Sequence, residues 1–205
     1  GFVESIRLSK RDGGDYSLQK RLVFPIIFDG IQVGLSLRRT RTADYPKWSH
    51  QPATLETANI LYNYDSCKSV DSVILCEGIT DVWAFHELGL NAVATFGAHV
   101  TDQQYKLILK TGCSEVVLAY DGDDAGKKAV NKCIELFKYK VKISIIDFES
   151  NEDPESITRS ELFDRYTKRA RHLLPRHALS FPEIANQTSS MVLHEKLSFM
   201  TISGY

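Results

Sequence analysis

Apolar and polar positions alternate in two short runs over residues 21–37, with a turn signal between them. Arg21-Leu-Val-Phe-Pro-Ile-Ile-Phe28 is rich in β-formers. Asp29-Gly30 supplies the positive-φ pair that a tight hairpin needs. Ile31-Gln-Val-Gly-Leu-Ser-Leu37 then alternates as a half-buried strand does. The pattern predicts a β-hairpin. Pro25 cannot donate to a ladder, so its strand is expected at an edge or bulged there. Residues 38–53 carry Pro46, Pro52 and many polar side chains and read as a loop. A short helix is expected over Leu55–Tyr62.

From Val70 the texture changes to alternating strand and helix. Strands are predicted at Val70–Cys76, Ala92–Phe96, Glu115–Tyr120 and Val141–Asp147. Helices are predicted at Asp81–Leu88, from Thr101 to Gly112 and at Ala125–Tyr139. Gln104 stands three residues after Thr101, the spacing of a capping box, and Gly89 and Gly112 are placed as C-terminal stops. A further helix is expected from an N-cap at Ser160 to about Leu174, after which Pro175 and Pro182 punctuate the chain. The order argues for an α/β fold: a parallel four-stranded sheet with flanking helices. A small mixed α+β subdomain precedes it, and a short helical tail follows. The expected divisions are 1–69, 70–158 and 159–205.

Composition is ordinary for a globular chain of 205 residues, at 43% hydrophobic and 25% charged, so general disorder is excluded. No apolar run approaches the ~20 residues a membrane helix needs, so no membrane partner is expected. The chain starts Gly-Phe-Val-Glu-Ser, with neither an initiator Met nor signal-peptide features, and is expected to be a piece of a longer protein. Cys67, Cys76, Cys113 and Cys133 fit no zinc spacing and are expected to be reduced, buried and cytosolic. Charge is more telling by region than in its total of −1. Residues 1–50 hold nine Lys/Arg against five Asp/Glu, and residues 71–160 hold nine against fifteen. A basic front thus meets an acidic middle.

The acidic residues fall where strands end. Glu77 closes the Val70–Cys76 strand and Asp81 follows one helical turn later. Asp121-Gly-Asp123 closes the Glu115–Tyr120 strand, and Asp153-Pro-Glu155 lies just beyond the Val141–Asp147 strand. In a parallel sheet these ends share one edge, so six carboxylates are expected to converge. Hard divalent cations relieve the resulting repulsion, because Mg²⁺ prefers carboxylate oxygens and water. Two such ions can clamp the oxygens of a phosphoryl transfer. Taken singly, each motif reads equally as a turn, a solvated strand end or, at Asp124, a helix cap. Asp121–Lys132 fails as an EF-hand loop, with Ala125 and Lys132 at ligand positions, and Gly122-x-x-x-Gly126-Lys127 is not a phosphate-binding P-loop. The histidines are scattered; His99, alone near a predicted strand end, is read as structural.

Glu77-Gly78, Asp81 and Asp121-Gly-Asp-x-Ala-Gly126, with Asn91–Gly97 leading to Thr101, resemble the TOPRIM domain. That module is shared by DnaG-like primases, topoisomerases and several nucleases. The front half narrows the resemblance to DnaG-like primases. Arg21-Leu-Val-Phe-Pro-Ile, Gly34, Arg38, Pro46-Lys47-Trp48 and Leu61-Tyr62 resemble the basic subdomain that precedes TOPRIM there. Asp153-Pro154-Glu155 resembles the family's Asp-Pro-Asp element, with Glu at its last position. Thr57 stands where such primases often carry a lysine.

The resemblance implies an RNA polymerase core that makes short RNA primers from ribonucleoside triphosphates on single-stranded DNA, using two or more Mg²⁺ or Mn²⁺ ions. It implies that Glu77 is a metal ligand or general base and that Glu77, Asp121 and Asp123 are catalytic. Asp81, Asp121, Asp123, Asp153 and Glu155 are implied to hold metal. Arg21, Arg38 and Lys47 are similar to residues that contact template or nucleotide, and Trp48, Tyr45 and Tyr62 are candidates for base stacking or for core packing. A replicative helicase and a zinc-binding domain outside this chain are the implied partners. The location is the cytoplasm of a bacterial cell, with a phage or mobile-element gene as a variant. A TOPRIM-type metal-dependent nuclease and a non-catalytic interaction module are the alternatives.

Overall fold

The computed structural model describes residues 2–9, 15–41 and 46–172. Tyr45, Leu174 and everything from Pro175 onward lie outside the described residues.

The front of the chain is an antiparallel meander, β1 (Phe2–Ser9), β2 (Asp15–Phe28), β3 (Ile31–Arg39) and β4 (Trp48–Gln51), in the order β1-β2-β3-β4. The expected hairpin is β2–β3. Its turn residues Asp29 and Gly30 have φ of 50° and 78°, as a two-residue turn of this twist requires. Pro25 lies beyond the stretch of β2 that β1 covers, which ends at Leu22, and the register slips just past it at Ile26/Ile27. Proline thus stands where one ladder is absent and next to a bulge.

Two expectations change here. The loop predicted over 38–53 contains β4, a polar four-residue strand too short to register as a pattern, which pairs Ser36 with His50 and Arg38 with Trp48. The helix predicted over Leu55–Tyr62 is replaced by two 3₁₀ turns, Thr57–Asn59 and Tyr64–Cys67, so the front subdomain contains no α-helix among its described residues.

The second sheet has the order β6-β5-β7-β8-β9. Its strands are β5 (Ser72–Cys76), β6 (Ala92–Ala94), β7 (Glu115–Leu118), β8 (Lys142–Ile145) and β9 (Ala170–His172). The first four are parallel, as expected. Helices α1 (Ile79–His86), α2 (Asp102–Lys110) and α3 (Asp124–Phe137) form the crossovers, and α4 (Arg159–Lys168) follows β8. Alternation sorts the strand residues onto two cores. Val73, Leu75, Val116, Leu118 and Ile143 pack on Leu107 and Ile108 of α2 and on Cys133 and Phe137 of α3. Ile74, Cys76, Val117 and Ala119 pack on Val82 and Phe85 of α1 and Leu162 of α4. Both faces of the sheet are therefore covered, which explains why its strands are nearly continuous in apolar residues.

The expected tail departs from its prediction. Helix α4 begins after Thr158, whose side chain accepts from the Glu161 N–H, and stops at Lys168. Residues 170–172 then return as β9, antiparallel to β8. Arg169 ties this return to the sheet through Glu115, at 3.0 Å. All four cysteines are buried free thiols, as expected. Among the described residues no helix is long and apolar enough to cross a membrane.

Gln104 ties the segment that connects the two sheets to the end of β6. Its side chain is fully buried, caps α2 by accepting from the Thr101 N–H, and donates to the carbonyls of Thr57, Ile60 and Thr95. Gln104→Ala takes this partner from the Ile60 and Thr95 carbonyls in the interior, while the Thr57 carbonyl keeps the Ile60 N–H. Thermal or urea unfolding is expected to show a loss of about 2–3 kcal/mol, and a change under about 0.5 kcal/mol would refute the bridging role.

Candidate metal and nucleotide site

The strand order places a switch point between β5 and β7: the chain leaves β5 towards β6 on one side and leaves β7 towards β8 on the other. Crevices at such points, beyond the carboxyl ends of parallel strands, are where open α/β sheets bind ligands. Glu77 follows β5 and Asp121 follows β7, one on each side of this crevice.

Local backbone fixes each acid. Gly78 is the N-cap of α1, and Asp81 on its first turn accepts from the Gly78 N–H at 2.8 Å. Asp123 is the N-cap of α3, its Oδ1 accepting from the Gly126 N–H at 2.8 Å. The cap is therefore Asp123 and not Asp124. Asp153 accepts from the Ser156 N–H at 2.7 Å, closing the turn that carries Glu155. The Gly122 N–H donates to the Glu152 carbonyl at 2.9 Å, so the acidic loops after β7 and β8 are joined backbone to backbone. A Cβ on Gly122 would stand 1.9 Å from the Glu149 carbonyl oxygen, and one on Gly126 would stand 2.0 Å from that of Asp121. Glycine is required at both positions by these close approaches rather than by φ.

Glu77, Asp81, Asp121, Asp153 and Glu155 line one cleft of about 230 Å³, faced by Lys47, Trp48 and His50 from the basic sheet. Asp123 is exposed and lies outside the lining, but its charge acts on Glu77 and Asp121. Burial, reinforced by the charges of Asp121 and Asp123, pushes the Glu77 carboxyl up to about 7. Burial pushes Asp81 to about 8, against the Gly78 N–H bond and with the charges of Asp121, Asp153 and Glu155. Asp121 rises to about 6 through burial and its neighbours Asp153 and Asp123, with Lys47 opposing. Each of these groups resists ionisation while no cation neutralises its neighbours.

The donor set fits a divalent cation. Oδ1 of Asp121 is buried and has no hydrogen-bond partner among the described residues, which a hard cation would supply. Among the described residues no three His, Cys, Asp or Glu side chains already stand at metal-ligating separation. The expected convergence of six carboxylates is thus a shared cleft and not a finished ligand cage.

Cation binding must expel protons from Glu77 and Asp81, and from Asp121 at the lower end of the range. Calorimetric titration with Mn²⁺ is expected to show affinity rising by about tenfold per pH unit between roughly pH 7 and 8, and by up to about a hundredfold per unit between roughly pH 6 and 7, with protons released to the buffer. Affinity independent of pH would rule this out.

The basic residues separate. Lys47 is exposed at the cleft mouth. Nη1 of Arg38 donates to both carboxylate oxygens of Glu155, at 2.8 and 2.9 Å, and its guanidinium lies over the Trp48 ring. An expected metal ligand and an expected phosphate contact thus hold each other. Arg21 corrects its expectation: it is 1% exposed and donates to the Pro46 carbonyl at 2.6 Å. Register supplies the reason. Leu22 pairs with Arg38 and Phe24 with Ser36, so these four share the face turned to the cleft, while Arg21 pairs with Arg39 on the opposite face. His99 stands 3.2 Å from Lys132, outside the cleft lining.

His50 and Trp83 were missed by the sequence reading. His50 shares a face with Trp48 at the two-residue spacing of a strand, a signal hidden once β4 is taken for loop. Trp83 is a large aromatic on the polar face of α1, where the helical period calls for a soluble side chain.

Residues 74–158 match the Toprim-like family profile. The chain is 36% identical over 164 residues to the DNA primase of Helicobacter pylori strain J99, covering 75% of this chain and 29% of that protein. It is similar in fold to a DNA primase domain from Pseudomonas aeruginosa, with TM-score 0.67, 25% identity and coverage of 80% of this chain and 56% of that one. It is also similar to the zinc-binding and RNA polymerase domains of Aquifex aeolicus primase, with TM-score 0.65, 27% identity and coverage of 81% and 44%. The chain spans under a third of the length of the first curated DNA primases it matches. Residues 74–158 thus form a Toprim-like domain, and with its preceding basic sheet the chain is similar in sequence and fold to the DnaG-like primases.

Proposed function

We propose that this chain is the catalytic core of a primase, a nucleotidyltransferase that joins ribonucleoside triphosphates into short RNA primers on a single-stranded DNA template. One observation carries the reading: an acidic crevice at the switch point of a parallel sheet is roofed by one face of a basic sheet, with Lys47 and the Arg38–Glu155 pair at their junction. The acidic side suits cation-bound triphosphate and the basic side suits the phosphates of a strand.

The reaction forms a bond between a 3′-hydroxyl oxygen and an α-phosphorus, breaks the α–β phosphoanhydride and releases pyrophosphate. Glu77 is half-buried with its carboxyl near neutrality, which suits it to take the hydroxyl proton. Asp81, Asp121 and Asp153 would hold two or more Mg²⁺ or Mn²⁺ ions, joined by Glu155 once it leaves Arg38, and these ions supply charge neutralisation at the phosphates. Asp123 sets the start of α3 and, through it, the Asp121 loop. Lys47 and a released Arg38 receive triphosphate or template phosphates. The change from antiparallel to parallel sheet supports a boundary near residue 70, with the acidic domain running to about 158. A zinc-binding domain and a replicative helicase outside this chain complete the reading, in the bacterial cytoplasm.

The test is incorporation of labelled ribonucleotides on single-stranded DNA with Mg²⁺ or Mn²⁺, with and without a short annealed RNA. Metal-dependent extension is expected. Metal-dependent loss of the template without added nucleotides would instead establish a nuclease.

A further inference from the structure

Beside the acidic cleft lies a second, larger groove of about 550 Å³, which shares Thr80 and Glu155 with the first. Its walls are Leu22 and Phe24 of β2 and the indole of Trp83 on α1. Arg38 and Arg159 line its polar side. It is an apolar slot flanked by two ion pairs, Arg38–Glu155 and Arg159–Glu87, beside the cleft proposed for the chemistry.

Trp83 is 48% exposed, yet it is held in place. Its Nε1–H donates to the Tyr62 hydroxyl at 3.1 Å. Phe24 meets it edge-on, with ring centroids 5.1 Å apart. Its other side borders a cavity lined by Tyr62 and His86. A half-exposed aromatic usually keeps rotamer freedom that a ligand must remove; here the hydrogen bond and the edge contact have already removed it. Burial does not account for a tryptophan at this position, since the core side of α1 is filled by Val82 and Phe85.

We propose that this groove stacks a nucleobase of a single nucleic-acid strand on Trp83, next to the catalytic cleft. A base has an apolar face for the indole and polar edges for the groove rim, and its phosphates are anions suited to Arg38 and Arg159. Both arginines are paired in exposed ion pairs, Arg38 with Glu155 and Arg159 with Glu87. Such pairs contribute little and exchange readily for phosphate. The inference rests on the primase reading for its partner, a single strand, and adds to it a base-holding position that an electrostatic track alone lacks.

The chain has two tryptophans, so Trp48→Phe leaves Trp83 as the reporter. A single-stranded DNA oligonucleotide is expected to quench its fluorescence. An abasic oligonucleotide of equal length, with the same phosphates, is expected to bind about tenfold more weakly and to leave the indole unquenched. In the parent background, Trp83→Ala should erase the difference in affinity between the two oligonucleotides, and Trp83→Phe should keep most of it. ATP alone serves as the other source of a base: quenching by ATP and not by the oligonucleotide would overturn the strand as occupant. Equal binding of the two oligonucleotides by the parent would overturn the groove altogether. Base-dependent quenching without ribonucleotide incorporation would keep the groove and sink the primase reading, and incorporation without quenching would do the reverse.

Discussion

Asp121→Asn is expected to lower metal-dependent ribonucleotide incorporation by at least about a hundredfold and, at the same time, to make the metal-free protein more stable. The two effects share one cause. Asp121 sits half-buried among Asp153 and Asp123, with one carboxylate oxygen that has no hydrogen-bond partner among the described residues. Its folded pKa of about 6 lies above its ordinary 3.8, so the fold prefers the protonated form. The penalty for ionising it is absent at low pH, grows as pH rises from about 4 to about 6, and is complete above that. Asparagine removes it, so a gain of about 1–3 kcal/mol is expected at pH 8 and none at pH 4. Adding Mg²⁺ should raise the melting temperature of the parent and leave that of the variant nearly unmoved, since ligand linkage requires the site. Thermal melts over pH with and without Mg²⁺, beside the incorporation assay, check all of this. A variant that is destabilised at pH 8, or that still responds to Mg²⁺, would contradict the account.

Gly122→Ala is the most damaging single methyl expected in this chain. The added carbon meets the Glu149 carbonyl oxygen at 1.9 Å, the Glu149 carbonyl carbon at 2.6 Å and the Phe148 carbonyl oxygen at 2.7 Å. All three are backbone atoms that cannot rotate away. The loops after β7 and β8 must part, breaking the Gly122–Glu152 hydrogen bond and moving Asp153 away from Asp121. A loss of about 4 kcal/mol or more is expected, equivalent to about 10 °C or more in melting temperature for a domain of this size. Incorporation should be lost even below the melting temperature. Gly30→Ala gives the scale for backbone strain without a clash: a Cβ there meets nothing within 4 Å, so only the cost of its φ of 78°, about 1–2 kcal/mol, is expected. If Gly122→Ala melts within a few degrees of the parent, the close approach is not a constraint.

What could be read from the residues divides along physical lines. The parallel sheet was legible because each of its strands is an apolar run, each crossover has a helical period, and Thr101 and Gln104 form the capping box seen in α2. The acids were legible because strand ends in such a sheet share an edge. The Arg38–Glu155 pair was not, since 117 residues separate the partners and only the packing of one sheet over the other brings them together. Arg21 and Arg38 look alike as charges. Their faces are set by a register that the hairpin turn fixes but that charge does not reveal. Strands β4 and β9 were hidden by length and polarity: four and three residues, too few to show a period, each recognisable only from its pairing with a neighbour.

The meander places each strand beside its neighbour in sequence, whereas β5 and β7 pair across an intervening helix, strand and helix. Loop closure therefore costs less for the basic sheet, and proteins rich in local contacts fold faster. On a chain emerging amino end first, the cationic roof can form while the carboxylates it will cover are still unmade. Each acid then arrives on a loop already capped by its own helix or turn, opposite a surface of the other sign. The order of synthesis thus places the most self-repelling part of the molecule after the surface that covers it.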